Sequence, residues 1–182
     1  MLRHLSLFIF KILGWKITGQ PPKLRKYVLI VAPHTSNWDF VLGVLARKII
    51  GIDMHYMGKS SLFKPPHGFI FRWLGGFPVD RSKPNGLVNS AVALFKKRDD
   101  FILTLSPEGT RKYNPNWKTG FWHIARQAQV PIAVVAFDYS KREITYKALF
   151  YTTANKDEDI RYIKSLYLDV KGFHPHLGVL KA

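Results

Sequence analysis

Three apolar runs rich in β-branched residues constrain this chain most: "YVLIVA" (residues 27–32), "FILTLS" (101–106) and "PIAVVAFDY" (131–139). Runs of this kind read as buried strands. Segments with helical spacing lie between them. Ser36 or Asn37 can cap a helix running to about Ile50. Pro84 and Asn85 open another, in which Leu87, Val88, Ala91, Val92, Leu94 and Phe95 recur at helical spacing. Residues 120–128 read as a third. A last helix begins near Asn155, with Asp157, Glu158 and Asp159 in its first turn, where the helix dipole favours negative charge. Weaker signals place a strand at 53–58, a short apolar helix at 68–76, an extended piece at 77–79 and an alternating strand at 143–150. Strands alternating with helices predict one α/β domain, a mixed sheet flanked by helices.

The chain has 182 residues, enough for one hydrophobic core. It has no cysteine, which removes disulfides, thiolate zinc sites and cysteine nucleophiles, and fits a reducing compartment. Lys+Arg number 28 against 12 Asp+Glu, a net charge of +16. That excess draws the molecule to an anionic surface, nucleic acid or acidic lipid, and composition does not choose between them. The basic residues are spread along the chain and form no long tail.

The first segment, "MLRHLSLFIFKILGWKI", has no small-residue cleavage site after its apolar run. A helix over residues 2–15 would be roughly 20 Å long. The hydrocarbon core is about 30 Å thick, so this helix is too short to span it. Leu2, Leu5, Ile9, Ile12 and Leu13 share one face, Phe8, Phe10 and Trp15 widen it, and Lys11 and Lys16 can reach headgroups. We expect a membrane-interface segment over residues 1–18 and a second unit over 19–182.

"VAPHTSNWDF" (31–40) puts a histidine just past a buried strand and an aspartate five residues on, in the first turn of a helix. A loop curling back brings the Asp39 carboxylate to His34 Nδ1–H. That contact fixes the tautomer and leaves Nε2 to accept a proton. This is the base and its orienter, without a nucleophile: there is no Gly-x-Ser-x-Gly elbow. The base must therefore act on a water or on a substrate hydroxyl.

A second loop, "SPEGTRKYNPNW" (106–117), also follows a strand. Gly109 permits a tight turn, and Arg111 and Lys112 offer cationic donors for a phosphate. Arg81, in "GGFPVDRS", and Lys59, in "MGKSSLF", are further candidates. The latter stretch is not a P-loop, because Asp53 stands where that motif needs its first glycine.

With these residues assembled, the chain resembles the glycerolipid acyltransferases typified by lysophosphatidic acid acyltransferase. Four blocks occur in that family's order: "HTSNWD" (34–39), "GGFPVDR" (75–81), "PEGTR" (107–111) and "VPIAVVAF" (130–137). The resemblance implies that His34 is the general base and Asp39 its orienter. It implies that Arg81, Glu108, Gly109, Thr110 and Arg111 shape the site of the acceptor's phosphate, with Lys59 assisting and Pro131 in the acyl-binding wall. Glu108 would hold Arg81 or Arg111 in place, or bond a glycerol hydroxyl. The reaction implied moves an acyl chain from a thioester, acyl-CoA or acyl carrier protein, to a lysophospholipid hydroxyl, with no bound cofactor or metal. It places the protein peripherally or monotopically on the cytoplasmic face of a membrane, on an anionic surface and not on nucleic acid.

Pro33, Ser106 and Lys112 depart from residues common in the family, and one apolar helix stands where some bacterial members have two. These departures bear on which lipid is the acceptor. Three rivals remain: a basic nucleic-acid-binding module, with no use for either loop; a thioesterase or lipid hydrolase in which His34 activates water; and a non-catalytic lipid-binding relative, against which the intact His34 and Asp39 argue. "FHPH" (173–176) reads as a solvent-facing tail and not a metal site.

Overall fold

The computed structural model describes residues 2–79 and 86–179. The chain opens with helix α1 (Leu2–Ile12). This helix is shorter than its apolar pattern because Gly14, at φ +71°, turns the chain out of it. Trp15 N–H donates to Phe10 O and Gly14 N–H to Lys11 O, the paired bonds of a glycine helix stop. The next residues form strand β1 (Lys16–Thr18), inside the 1–18 segment expected to lie at a membrane interface.

Strand β2 (Lys26–Ala32) leads into helix α2 (Trp38–Ile50). Strand β3 (Met54–Lys59), one 3₁₀ turn (Ser60–Phe63), helix α3 (Gly68–Trp73) and strand β4 (Gly76–Val79) follow. Then come helix α4 (Gly86–Lys97), strand β5 (Phe101–Leu105) and helix α5 (Gly120–Ala128). Strands β6 (Ile132–Asp138) and β7 (Glu143–Phe150) and helix α6 (Lys156–Ser165) complete the fold. Asn155 caps α6 by accepting from Glu158 N–H.

Among the described residues the strands form one mixed sheet, ordered β1-β7-β6-β2-β5-β3-β4. Strands β2 to β6 run parallel to their sheet neighbours within that set. Strand β7 is antiparallel to β6, and β1 is parallel to β7. All five parallel strands therefore deliver their C-terminal ends to one edge, where sites of open α/β sheets form.

Strand β2 lies at the centre, and Tyr27 to Ile30 are buried on both faces. Val28 and Ile30 pack with α4, α5 and Ile163 of α6 on one side. Tyr27 and Leu29 pack with Phe10 of α1 and with Leu42 and Ala46 of α2 on the other. Helix α3 sits beside α2: Arg47 donates to Leu74 O at 2.7 Å, and the Lys48 ammonium lies over the Trp73 ring. Helices α1, α2 and α3 thus form one layer, and α4, α5 and α6 the other.

Candidate active site

His34 follows β2 directly, and Asp39 lies in the first turn of α2. His34 Nδ1 and Asp39 Oδ2 are 2.9 Å apart. The same oxygen accepts the backbone N–H groups of Thr35 (2.9 Å) and Ser36 (3.0 Å). The other oxygen, Oδ1, accepts the Tyr139 hydroxyl at 2.6 Å. A carboxylate buried to 3% exposure needs such donors, since an unpaired buried charge costs several kcal/mol. Because an ionised carboxylate only accepts, the imidazole proton sits on Nδ1 and Nε2 keeps its lone pair. The His34 side chain is 30% exposed, so the ring reaches solvent while its partner does not.

The cap of α2 differs from expectation. Ser36 Oγ accepts from Trp38 N–H at 3.2 Å, a local turn. Asn37 occupies the cap position without a side-chain cap bond. Its Oδ1 instead accepts from Arg111 Nη1, so the guanidinium lies across the start of α2. The loops after β2 and β5 therefore meet, as adjacent parallel strands require.

Glu108 is where structure and expectation part. It is 4% exposed. Its Oε1 accepts His34 N–H at 2.9 Å and its Oε2 accepts the Ser106 hydroxyl at 2.7 Å. Arg111 bonds Asn37 and not Glu108, so among the described residues the carboxylate ties two loops together and grips no guanidinium. Burial raises its pKa above the ordinary range, against the opposing pull of the Ser106 and His34 bonds.

Gly109 has φ +66°, and a Cβ there would lie 2.9 Å from Lys118 Cγ, so this turn requires glycine. Thr110 Oγ1 accepts from Lys112 N–H within the turn. Asn114 Nδ2 donates to Glu108 O, and Lys118 N–H to Pro107 O. The loop is anchored in the core by Trp117, whose ring meets Tyr167 edge-on. Lys59 is exposed at the C-terminal end of β3, in register with Val79 of β4. It shares the site's edge, roughly 10 Å across the sheet from β2 at about 4.8 Å per strand. Arg81 lies outside the described residues.

Pro131 is not beside this site. Its carbonyl accepts from Val28 N–H at the opposite end of β2. Val28 stands six positions before His34, roughly 20 Å at about 3.3 Å per residue of extended chain. Two clefts, of about 450 and 340 Å³, also lie elsewhere and include neither His34 nor Asp39.

Two contributors went unread in the sequence. Tyr139 is 100 residues from Asp39 and is brought near because β6 neighbours β2, with Ala136 opposite Ala32. The 173–176 segment has exposed side chains, but its backbone is fixed: His174 N–H donates to Thr35 Oγ1, and the Phe173 ring meets Tyr139 at 5.3 Å.

Residues 16–138 match the family model described as Acyltransferase. The chain belongs to that family. The match covers His34, Asp39, Lys59, Arg81 and the 108–111 turn, and stops one residue short of Tyr139. The 1-acyl-sn-glycerol-3-phosphate acyltransferase of Streptococcus pneumoniae is 30% identical over 135 residues, covering 69% of this chain and 50% of that protein. The enzyme of the same name from Escherichia coli is 32% identical over 128 residues, covering 66% and 51%. The chain thus spans about half the length of these curated relatives. The crystal structure of the 1-acyl-sn-glycerophosphate (LPA) acyltransferase PlsC from Thermotoga maritima superposes with a TM-score of 0.61 at 16% identity, covering 91% of this chain and 74% of that one. That likeness establishes a shared fold.

Proposed function

We propose that this chain is a membrane-associated O-acyltransferase that moves an acyl chain from a thioester, on coenzyme A or acyl carrier protein, to the free hydroxyl of 1-acylglycerol 3-phosphate. The observation carrying this reading is the 2.9 Å contact between His34 Nδ1 and buried Asp39, with a partly exposed ring and Arg111 on the adjoining loop. Nε2 takes the acceptor's hydroxyl proton as that oxygen attacks the thioester carbonyl. The tetrahedral intermediate collapses with cleavage of the C–S bond, and the imidazolium returns the proton to the departing sulfur. Asp39 supports the transient imidazolium. No acyl-enzyme forms. A base so placed contributes roughly 10²- to 10⁴-fold.

Arg111 binds the acceptor's phosphate, aided by the positive end of α2 and by Arg81, Lys59 and the Gly109–Thr110 turn. Glu108 acts at one remove, by fixing the backbone of His34. Holding the phosphate away from the reacting hydroxyl orients that hydroxyl toward Nε2.

The membrane contact is the outer surface of the α1–α2–α3 layer, residues 1–18 forming its first part and 19–182 the catalytic unit. Phe8 and Ile12 of α1 are 61% and 67% exposed, and Phe69 and Trp73 of α3 are 71% and 70% exposed. Trp38, beside the catalytic pair, is exposed in the same layer. Among the described residues α4 and α5 expose no large apolar side chain. The exposed aromatic side chains of this layer support a peripheral or monotopic attachment, on the cytoplasmic face where thioester donors are found; no described helix is long and apolar enough to cross a membrane. The charge of +16 favours acidic lipid.

The test supplies acyl-CoA or acyl carrier protein thioester with lysophosphatidic acid and separates products by chromatography. Phosphatidic acid should form with the wild type and fall at least ~10²-fold in His34→Ala, with an unchanged melting profile. Release of free fatty acid at the same rate without acceptor would make the protein a thioesterase instead.

A further inference from the structure

We propose that Tyr139 is a positioning residue for the catalytic pair, holding the Asp39 carboxylate in the plane that aims it at His34. The inference rests on the reading of His34 as the base. Asp39 Oδ2 receives three donors, the His34 ring and two backbone N–H groups. All three approach one oxygen and leave the carboxylate free to pivot about it. The 2.6 Å bond from Tyr139 to Oδ1 removes that freedom.

Tyr139 is itself held. Its N–H donates to Lys171 O at 2.8 Å. Its ring meets Trp15 at 4.8 Å and Phe173 at 5.3 Å, both edge-on. These contacts come from the junction of α1 with β1 and from the C-terminal segment. The loop after β2 and the first turn of α2 supply His34 and Asp39, and Tyr139, just past β6, is held in turn by the flanking segments. Burial, then the Asp39 bond and charge, raise the phenol far above its ordinary pKa. The hydroxyl remains a donor throughout the working range.

The donor also sets how strongly Asp39 favours the imidazolium. A phenolic proton on Oδ1 withdraws part of the carboxylate's charge. Removing it leaves a stronger anion beside Nδ1, which favours the imidazolium more. Among the described residues, the other titratable groups tied to this turn are Glu108 at the His34 backbone and Arg111 on Asn37, while His174 reaches Thr35 through its backbone N–H. Tyr139→Phe alters none of them and keeps the ring that Trp15 and Phe173 enclose.

The test compares wild type with Y139F in steady-state kinetics across pH, and follows the His34 ring titration by NMR without substrate, assigned by its absence in H34A. The inference expects kcat to fall about tenfold with the acceptor KM unchanged. The acidic limb of kcat/KM and the ring titration should both move to higher pH. A folded Y139F with wild-type kcat and an unmoved titration overturns it. If the wild type transfers no acyl group yet the titration moves in Y139F, the positioning role stands and the acyltransferase reading falls.

Discussion

At the residue scale, the His34–Asp39 contact was legible because both partners lie within one strand-to-helix turn, where local geometry decides the outcome. Glu108 was only half legible. Its place after β5 was clear, but its partner follows from the adjacency of β2 and β5, which spacing does not encode. Its burial has a consequence for stability. A carboxyl whose folded pKa is raised holds its proton more tightly folded than unfolded. Its contribution is therefore greatest below the ordinary carboxylate range and declines as pH rises through the raised range. Glu108→Gln keeps an acceptor for His34 N–H and donates to Ser106 Oγ, without a charge to bury. Denaturant unfolding of E108Q should show a flatter dependence from acid to neutral pH and no loss of stability at neutrality. A clear loss there would mean that the ionised form makes bonds an amide cannot. Arg111 is exposed and bonded to Asn37 alone among the contacts described. Arg111→Ala should raise the acceptor KM roughly tenfold with kcat within about twofold, the mark of lost uniform binding. A monoacylglycerol acceptor, lacking phosphate, should be used equally by both proteins; an unchanged KM for the phosphorylated acceptor would remove Arg111 from that site.

At the scale of elements, the sequence carried most of the fold. Helix α5 and strand β7 have the bounds that their patterns predict, since each is long and strongly periodic. Strand β1 was invisible because three residues hold no period, and pairing with Glu143–Thr145 makes it a strand. Helix α1 shows a different limit. Periodicity gives an apolar face without saying what covers it. The helix docks through small Ser6 and through Phe10, which enters the core, while Leu2, Leu5, Phe8 and Ile12 remain outside. Phe69 and Trp73 of α3 have the same character, and from Met54 to Val79 the chain contains no acidic residue. A large apolar side chain entering a bilayer contributes about 2 kcal/mol. Phe69→Ser with Trp73→Ser should therefore lower partitioning onto anionic vesicles at least ~tenfold in flotation. Both side chains are exposed, so the melting temperature should hold. Unaltered flotation would confine the membrane contact to α1.

At the scale of the whole molecule, the two helical layers divide the work. The layer of α4, α5 and α6 closes the core with little apolar surface left outside, while that of α1, α2 and α3 leaves aromatic side chains exposed, among them Trp38, the chain neighbour of Asp39. The charge of +16 acts over a different distance from these side chains. Exposed charges are screened beyond about 10 Å at 0.1 M salt and about 3 Å at 1 M, whereas buried apolar contact is not weakened by salt. The two contributions can thus be separated on vesicles. Wild-type protein should bind anionic vesicles more tightly than neutral ones at low salt. Near 1 M salt it should fall to a residual level close to its binding on neutral vesicles. The variant serine-substituted at Phe8, Ile12, Phe69 and Trp73 should keep the salt-sensitive part and lose the residue. If salt strips the wild type completely, charge alone holds it to lipid. The exposed aromatics would then need another partner, and the site's place at the bilayer surface would have to be argued without them.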